Sequence, residues 1–215
     1  MGVSFLCSIL LFMTTRNLPV TSTAVSHVPL IDTWRQMAHI LMPITGILIA
    51  RGFMHGCMAA FLPTFIVMTT DNLWLAGVGL TIYECAGVVG VMVAGTLSDR
   101  FGRRRLLSLS LIAAPISLML FVYVKGWAAY VMLVMTGFTL LSTTPVMLAL
   151  VQENATHSPS AANGLFMMIS FLSRSAVVVI VGVFGDLIGL KPTFVLFALI
   201  GLIGLPFVLK LPHDK

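Results

Sequence analysis

Six long apolar runs, separated by short polar breaks, constrain this chain more than any other feature. They lie at His39–Val67, Leu73–Leu97, Leu106–Val124, Trp127–Val151, Gly164–Leu187 and Thr193–Leu209. A helix rises 1.5 Å per residue, so about 20 residues cross the hydrocarbon core of a bilayer. Each run is close to that length. None alternates apolar and polar residues as a half-buried strand would, and in lipid only helices or closed barrels satisfy the backbone. The runs therefore predict an all-α membrane protein with six complete transmembrane helices. The connectors are short, so neighbours in sequence should pack antiparallel.

Composition agrees. Apolar residues make up 59% of the chain, charged residues 9%, and mean hydropathy is +1.07. A soluble domain carries about 25% charged residues. The net charge of +5 and the pI near 9.5 do not point to nucleic acid. The basic residues gather in loops between apolar runs, which is how cytoplasmic loops of membrane proteins are marked. With the 98–105 loop inside, Arg16, Arg35, Arg100, Arg103, Arg104, Arg105, Lys210 and Lys215 are cytoplasmic, and Lys125 and Lys191 lie outside. The reverse orientation inverts that imbalance, so the C-terminus is expected in the cytoplasm.

Met1–Met13 is apolar but too short to span, and it lacks a basic start and a small-residue cleavage site. It reads as a partial transmembrane helix whose beginning is missing. Residues 14–38, with Pro19, Pro29 and scattered charges, read as a cytoplasmic central linker, and 39–215 as the six-helix unit. Cys7, Cys57 and Cys85 sit in apolar runs and are expected to be small buried packing residues. No His, Cys or carboxylate set has metal spacing, and no cofactor is expected.

Between the second and third runs lies Gly95-Thr96-Leu97-Ser98-Asp99-Arg100-Phe101-Gly102-Arg103-Arg104-Arg105. Gly95 would let two helices approach, and Gly102 would permit a tight turn. Asp99 would accept from N–H groups at a helix start and pair with a basic neighbour. The arginines would hold the loop at an anionic surface. This stretch resembles the signature loop of the major facilitator superfamily, which follows the second span of each six-helix half. The resemblance covers residues 39–212 and implies half of a twelve-helix major-facilitator fold, the C-terminal half. Gln152-Glu153-Asn154, Asn163-Gly164 and Gly185-Asp186 make it look most like drug-efflux members, the fosmidomycin-resistance type included. It also implies a cytoplasmic gating role for Gly95, Asp99, Arg100, Gly102 and Arg103, with Arg104 and Arg105 fitting a topology anchor better.

Within the runs, Arg51, Glu84 and Arg174 are ionisable. Each costs about 2.5–3.5 kcal/mol to place at mid-bilayer, so such residues face a protein interior or a wet cavity. His55 follows Arg51 by four residues and shares its helix face. The third and sixth runs carry no charge, matching the peripheral position that the resemblance implies for them. Arg51, His55, Glu84 and Arg174 are thus expected to form a substrate and coupling cavity. The arginines would stabilise an anionic or polar solute, Glu84 would carry a coupling proton, and His55 would join a relay. The alternative for Glu84 is an internal ion pair with one of the arginines. Tyr83 adjoins Glu84 in sequence but should not share its face. Gly87, Gly90, Gly182 and Gly185 read as packing contacts.

No G-x-x-x-x-G-K-[ST] loop is present, so ATP coupling is not encoded here. The expected function is secondary active efflux or uptake of a small organic or drug-like solute in a prokaryotic plasma membrane. The expected partners are that solute, the lipid bilayer, and either a missing N-terminal six-helix half or a second copy of the chain. A free-standing half that homodimerises and a non-transporting scaffold are the alternatives. An enzyme would need a positioned nucleophile or acid–base pair, which the sequence does not offer.

Overall fold

The computed structural model describes residues 30–155 and 159–211. The expected partial helix 1–13 and most of the linker lie outside the described residues. Among those described there is no strand. The helices are α1 (Leu30–Gly56), α2 (Leu62–Thr70), α3 (Leu73–Phe101), α4 (Arg103–Tyr123), α5 (Trp127–Asn154), α6 (Pro159–Ile188), α7 (Leu190–Gly201) and α8 (Gly204–Leu209). A π-helical turn, Cys57–Phe61, joins α1 to α2. Together these elements make six apolar spans: Thr33–Thr70, α3, α4, α5, α6 and Leu190–Leu209.

Two boundaries differ from the hydropathy reading. The first helix is already formed at Leu30, ahead of the hydropathy start at His39, so residues 30–38 are helical. Hydropathy marks where an apolar run starts, and a helix continues through polar residues beyond it. The sixth span is broken between Gly201 and Gly204. Pro206 has no N–H to donate to the Leu202 carbonyl, and Leu205 donates to it instead at 3.0 Å. The same chemistry explains the π turn: Pro63 sits in the first turn of α2 and cannot continue the α ladder.

The turns are tight. Asp71 ends α2 at φ 53°, and Asn72 caps α3 by accepting from Trp74 N (3.0 Å) and Leu75 N (3.2 Å). Gly102, at φ 87°, makes the sharp corner between α3 and α4 expected of it.

The spans pack by small residues. On α3 the buried positions are Ala76, Gly79, Tyr83, Gly87, Gly90, Ala94 and Ser98, and this face lies mainly on α5. A Cβ at Gly90 would sit 2.5 Å from the Phe138 carbonyl oxygen, and one at Gly137 would fall on that of Tyr83. Backbone meets backbone there, as in other small-residue membrane interfaces. Gly95 differs: nothing lies within 4 Å of a Cβ built on it. The close approach expected at Gly95 is made by Gly87 and Gly90 instead, because Gly95 points away from α5. α4 is tied to α5 by hydroxyls, Thr136 donating to Ser117 at 3.0 Å. α1 packs on α6, α7 and α8.

Buried apolar side chains form two clusters. One holds Ile40, Leu48, Leu107, Val146, Phe166 and Val208. The other holds Met54, Leu62, Tyr83, Leu118, Val177 and Phe194. Between them runs a polar layer at mid-span, in which Arg51, His55, Ser142 and Thr143 are buried.

Candidate functional site

The polar layer contains the candidate site. A cavity of about 170 Å³ is lined there by Arg51, Gly52 and His55 from α1, Thr144 from α5, and Ser170 and Arg174 from α6, with apolar neighbours. No residue of α4 or α7 lines it. The third and sixth runs, which carry no charge, thus stay away from the cavity, but so does α3 with Glu84, and the equally charge-free fourth run lines it through Thr144.

Arg51 reaches it because α1 is held against α5 and α6. Its Nη1 donates to Thr144 Oγ1 at 2.7 Å. Its Nε is buried and has no partner among the described residues. His55, one turn along, is 7% exposed. Its Nδ1 lies 3.0 Å from Tyr83 Oη, and its Nε2 meets Arg174 Nη2. Arg174 comes from the exposed side of α6. Two guanidiniums and an imidazole thus converge on one small cavity whose lining contains no carboxylate.

Glu84 is placed elsewhere. It is exposed on α3, next to buried Tyr83, and does not line the cavity. Neither Arg51 nor Arg174 forms an ion pair with it among the described residues. The structure therefore joins three of the four expected cavity residues and leaves the fourth on an open face. Sequence reasoning did not single out the lining residue Thr144, nor Tyr83, itself outside the lining, as the partner of His55. Thr144 lies in the Ser142–Pro145 segment, where its hydroxyl was a visible signal. Tyr83 was visible only as the neighbour of Glu84, and it is the tyrosine that points inward. A wider groove of about 710 Å³ runs along Leu73, Trp74, Gly77, Val78, Thr81 and Ile82, but it carries no ionisable side chain.

At the other end of α3, the signature loop is built around Arg103. Asp99 lies in the last turn of α3 rather than at a helix start, and its Oδ1 is 3.6 Å from Arg103 Nη2. Arg103 also pairs with Glu153 at the end of α5. Arg104 Nη2 donates to the Leu209 carbonyl at 2.8 Å, tying the start of α4 to the end of α8. Arg100 and Arg105 are exposed. Of the cysteines, Cys57 is buried as expected, whereas Cys85 is exposed beside Glu84.

Comparison with known proteins agrees with this architecture. The fold matches the E. coli fucose:proton symporter FucP with a TM-score of 0.75 at 16% identity, over 97% of this chain and 53% of that one. In sequence the chain is 28% identical over 155 residues to an uncharacterized MFS-type transporter, YfnC, of Bacillus subtilis (strain 168), covering 71% of this chain and 37% of that protein. It is 36% identical over 55 residues to the enterobactin exporter EntS of Shigella boydii serotype 4 (strain Sb227), covering 26% of this chain and 13% of that one. The chain thus spans well under half the length of the curated relatives it matches. Residues 47–215 match the Major Facilitator Superfamily as a family. With six apolar spans, the matching fold and a family match over most of its length, this chain is an integral membrane protein that belongs to the Major Facilitator Superfamily of transporters.

Proposed function

We propose that the protein carries a small organic anion across the membrane by proton-coupled alternating access, with Arg51 and Arg174 as the anion contacts. The observation that carries this reading is the convergence of both guanidiniums on one mid-span cavity lined by no carboxylate. A buried charge is stable only when paired or hydrogen-bonded. Arg51 has an Nε donor unused, and a carboxylate or similar group between the two arginines would complete both. Guanidinium is suited to planar anions because it offers paired donors. The symporter whose fold it shares is proton-coupled by name, which supports a proton gradient as the energy source.

This chain would form one wall of the transport path. A second six-helix half, or a second copy, would form the other against the exposed faces of α3 and α6. The signature loop would lie in the cytoplasm, with the C-terminus, in a prokaryotic plasma membrane. The Asp99–Arg103–Glu153 contacts would close that side and loosen as the halves rock. Export, the direction in the name of the enterobactin relative, is the second reading of direction.

Proteoliposomes containing the protein test the solute class. Radiolabelled organic anions, cations and neutral solutes of matched size are offered under an imposed proton gradient. Anions should move, and Arg51→Met and Arg174→Met should each reduce that movement tenfold or more. Transport confined to cations or neutral solutes would end the anion reading.

A further inference from the structure

Three side chains from three helices form one hydrogen-bonded row: Arg174 on α6, His55 on α1 and Tyr83 on α3. The chemistry of the groups fixes who donates. A guanidinium has donors only. The His55 nitrogen it meets, Nε2, must therefore offer a lone pair. The ring proton is then on Nδ1, and Nδ1–H donates to Tyr83 Oη across 3.0 Å. Tyr83 is fully buried, and its own carbonyl is pressed by Gly137 of α5, so its hydroxyl is held in place. The row accommodates one form of His55: neutral, with the proton on Nδ1.

The groups facing His55 are few. Arg51 lies one turn away on the same helix, Tyr83 faces it from α3 and Arg174 from α6. α5 brings the hydroxyl of Thr144 to the same cavity, and α7 contributes Phe194 and Phe197 to the adjoining cluster. Glu84 is on the open side of α3. Among the described residues no carboxylate faces the imidazole.

We infer that the row is a proton latch, in which a proton taken up on His55 Nε2 frees the Nη2 donor of Arg174 for the cavity that Arg174 already lines. A solvent hydronium gives its proton to the Nε2 lone pair and leaves as water. One O–H bond of the hydronium breaks, one N–H bond forms, the hydrogen bond from Arg174 is lost, and no other covalent bond changes. His55 keeps its bond to Tyr83, since Nδ1–H is a donor in both forms. Arg174 now faces a second cation, and its freed donor points into the cavity it lines. If the anion reading under Proposed function holds, the freed guanidinium is the solute's contact. Proton and anion then favour each other's binding by the same factor. Loading together moves both in one direction, which under an inward proton gradient is uptake. Tyr83 is the positioning residue: its hydroxyl accepts from Nδ1–H in both forms and holds the ring in place, while Arg174 sets the tautomer.

Solid-state nuclear magnetic resonance of the protein in lipid bilayers tests the latch without any solute. The sequence has five histidines, and Met54–His55 is its one Met–His step. Carbonyl-¹³C methionine with ¹⁵N-histidine therefore identifies His55 with no substitution. At neutral pH its ring should be the neutral Nδ1–H tautomer. On acidification the ring should become doubly protonated, and the Arg174 side-chain nitrogens should shift in the same step. In Arg174→Met the Nε2 lone pair is no longer held, and the signal should move toward the Nε2–H tautomer. An Nε2–H ring in the unsubstituted protein, or Arg174 signals indifferent to His55 protonation, would overturn the latch. That result would leave the anion site standing. Loss of anion preference in proteoliposomes with the tautomer as expected would overturn the anion site alone.

Discussion

Replacing Arg51 by Met should leave the protein as stable or more so while removing the proposed transport. Arg51 is buried at mid-span with no carboxylate beside it, one bond to Thr144 and an unused Nε. Placing an arginine at that depth costs about 2.5–3.5 kcal/mol. A hydrogen bond to a charged group contributes about 1.5–3 kcal/mol. Methionine has similar length, packs against Leu48 and Phe166, and carries neither term. The difference runs from a loss of about 0.5 to a gain of about 2 kcal/mol. For a chain of this size each kcal/mol moves Tm by about 2–4 °C, so the shift should lie between about −2 and +8 °C. Thr144 keeps a partner, since its hydroxyl can turn to a carbonyl of its own helix. Thermal unfolding in detergent, followed by intrinsic fluorescence, reads the shift. The opposite result has a distinct size. If Arg51 were half of a structural ion pair, its removal would strand the other charge and cost about 3–5 kcal/mol. A Tm lowered by more than about 6 °C would therefore refute the idea that this arginine is held for a solute.

Other perturbations test the packing. Gly137→Ala places a methyl on the Tyr83 carbonyl, and neither backbone can yield, so a loss of about 1–3 kcal/mol is expected in the same assay. Gly95→Ala meets open space and should gain up to about 1 kcal/mol from helix propensity; a loss would show that Gly95 is a contact. Glu153→Gln removes a pair whose acid is 58% exposed, so stability should change by less than about 1 kcal/mol. High salt should mimic it, and a larger effect would mean the pair is shielded from solvent.

Much of the fold was legible because lipid leaves so few options. The length of an apolar run, the positions of glycine and the placement of charges are one-dimensional signals. They located six spans and the Gly102 corner. What stayed hidden depends on helix phase. Whether Tyr83 or Glu84 points inward differs by about 100° of rotation, and Gly87, Gly90 and Gly137 set that rotation by deciding where α3 touches α5. The same phase turns Gly95 and Cys85 outward, against expectation. Thr144 was hidden for another reason: its role requires α1 and α5, 93 positions apart at the Arg51–Thr144 bond, to be neighbours. The breaks at Pro63 and Pro206 were readable as missing donors, but the response chosen, a π turn in one case and a tightened turn in the other, depends on what each helix packs against.

Glu84 then becomes evidence about what lies beside this chain. It shares an exposed face of α3 with Val88, 58% exposed, and Met92, 76% exposed, at the depth of the polar layer. A carboxylate facing hydrocarbon there would cost about 2.5–3.5 kcal/mol, and removing its charge would relieve that cost. A carboxylate covered by a second helical body and bonded to a basic or N–H group of it would respond the other way, because its removal would strand that partner. The two cases differ in sign. In lipid nanodiscs Glu84→Gln should lower Tm if α3 is an interface, by at least the equivalent of about 1 kcal/mol. Exposed Cys85, its neighbour, supplies the second measurement: oxidative crosslinking through it yields a dimer of this chain where the cover is a second copy, and no such dimer where it is a different half. A rise in Tm on Glu84→Gln would mean that lipid covers this face, and the transport path would then have to be sought between other helices.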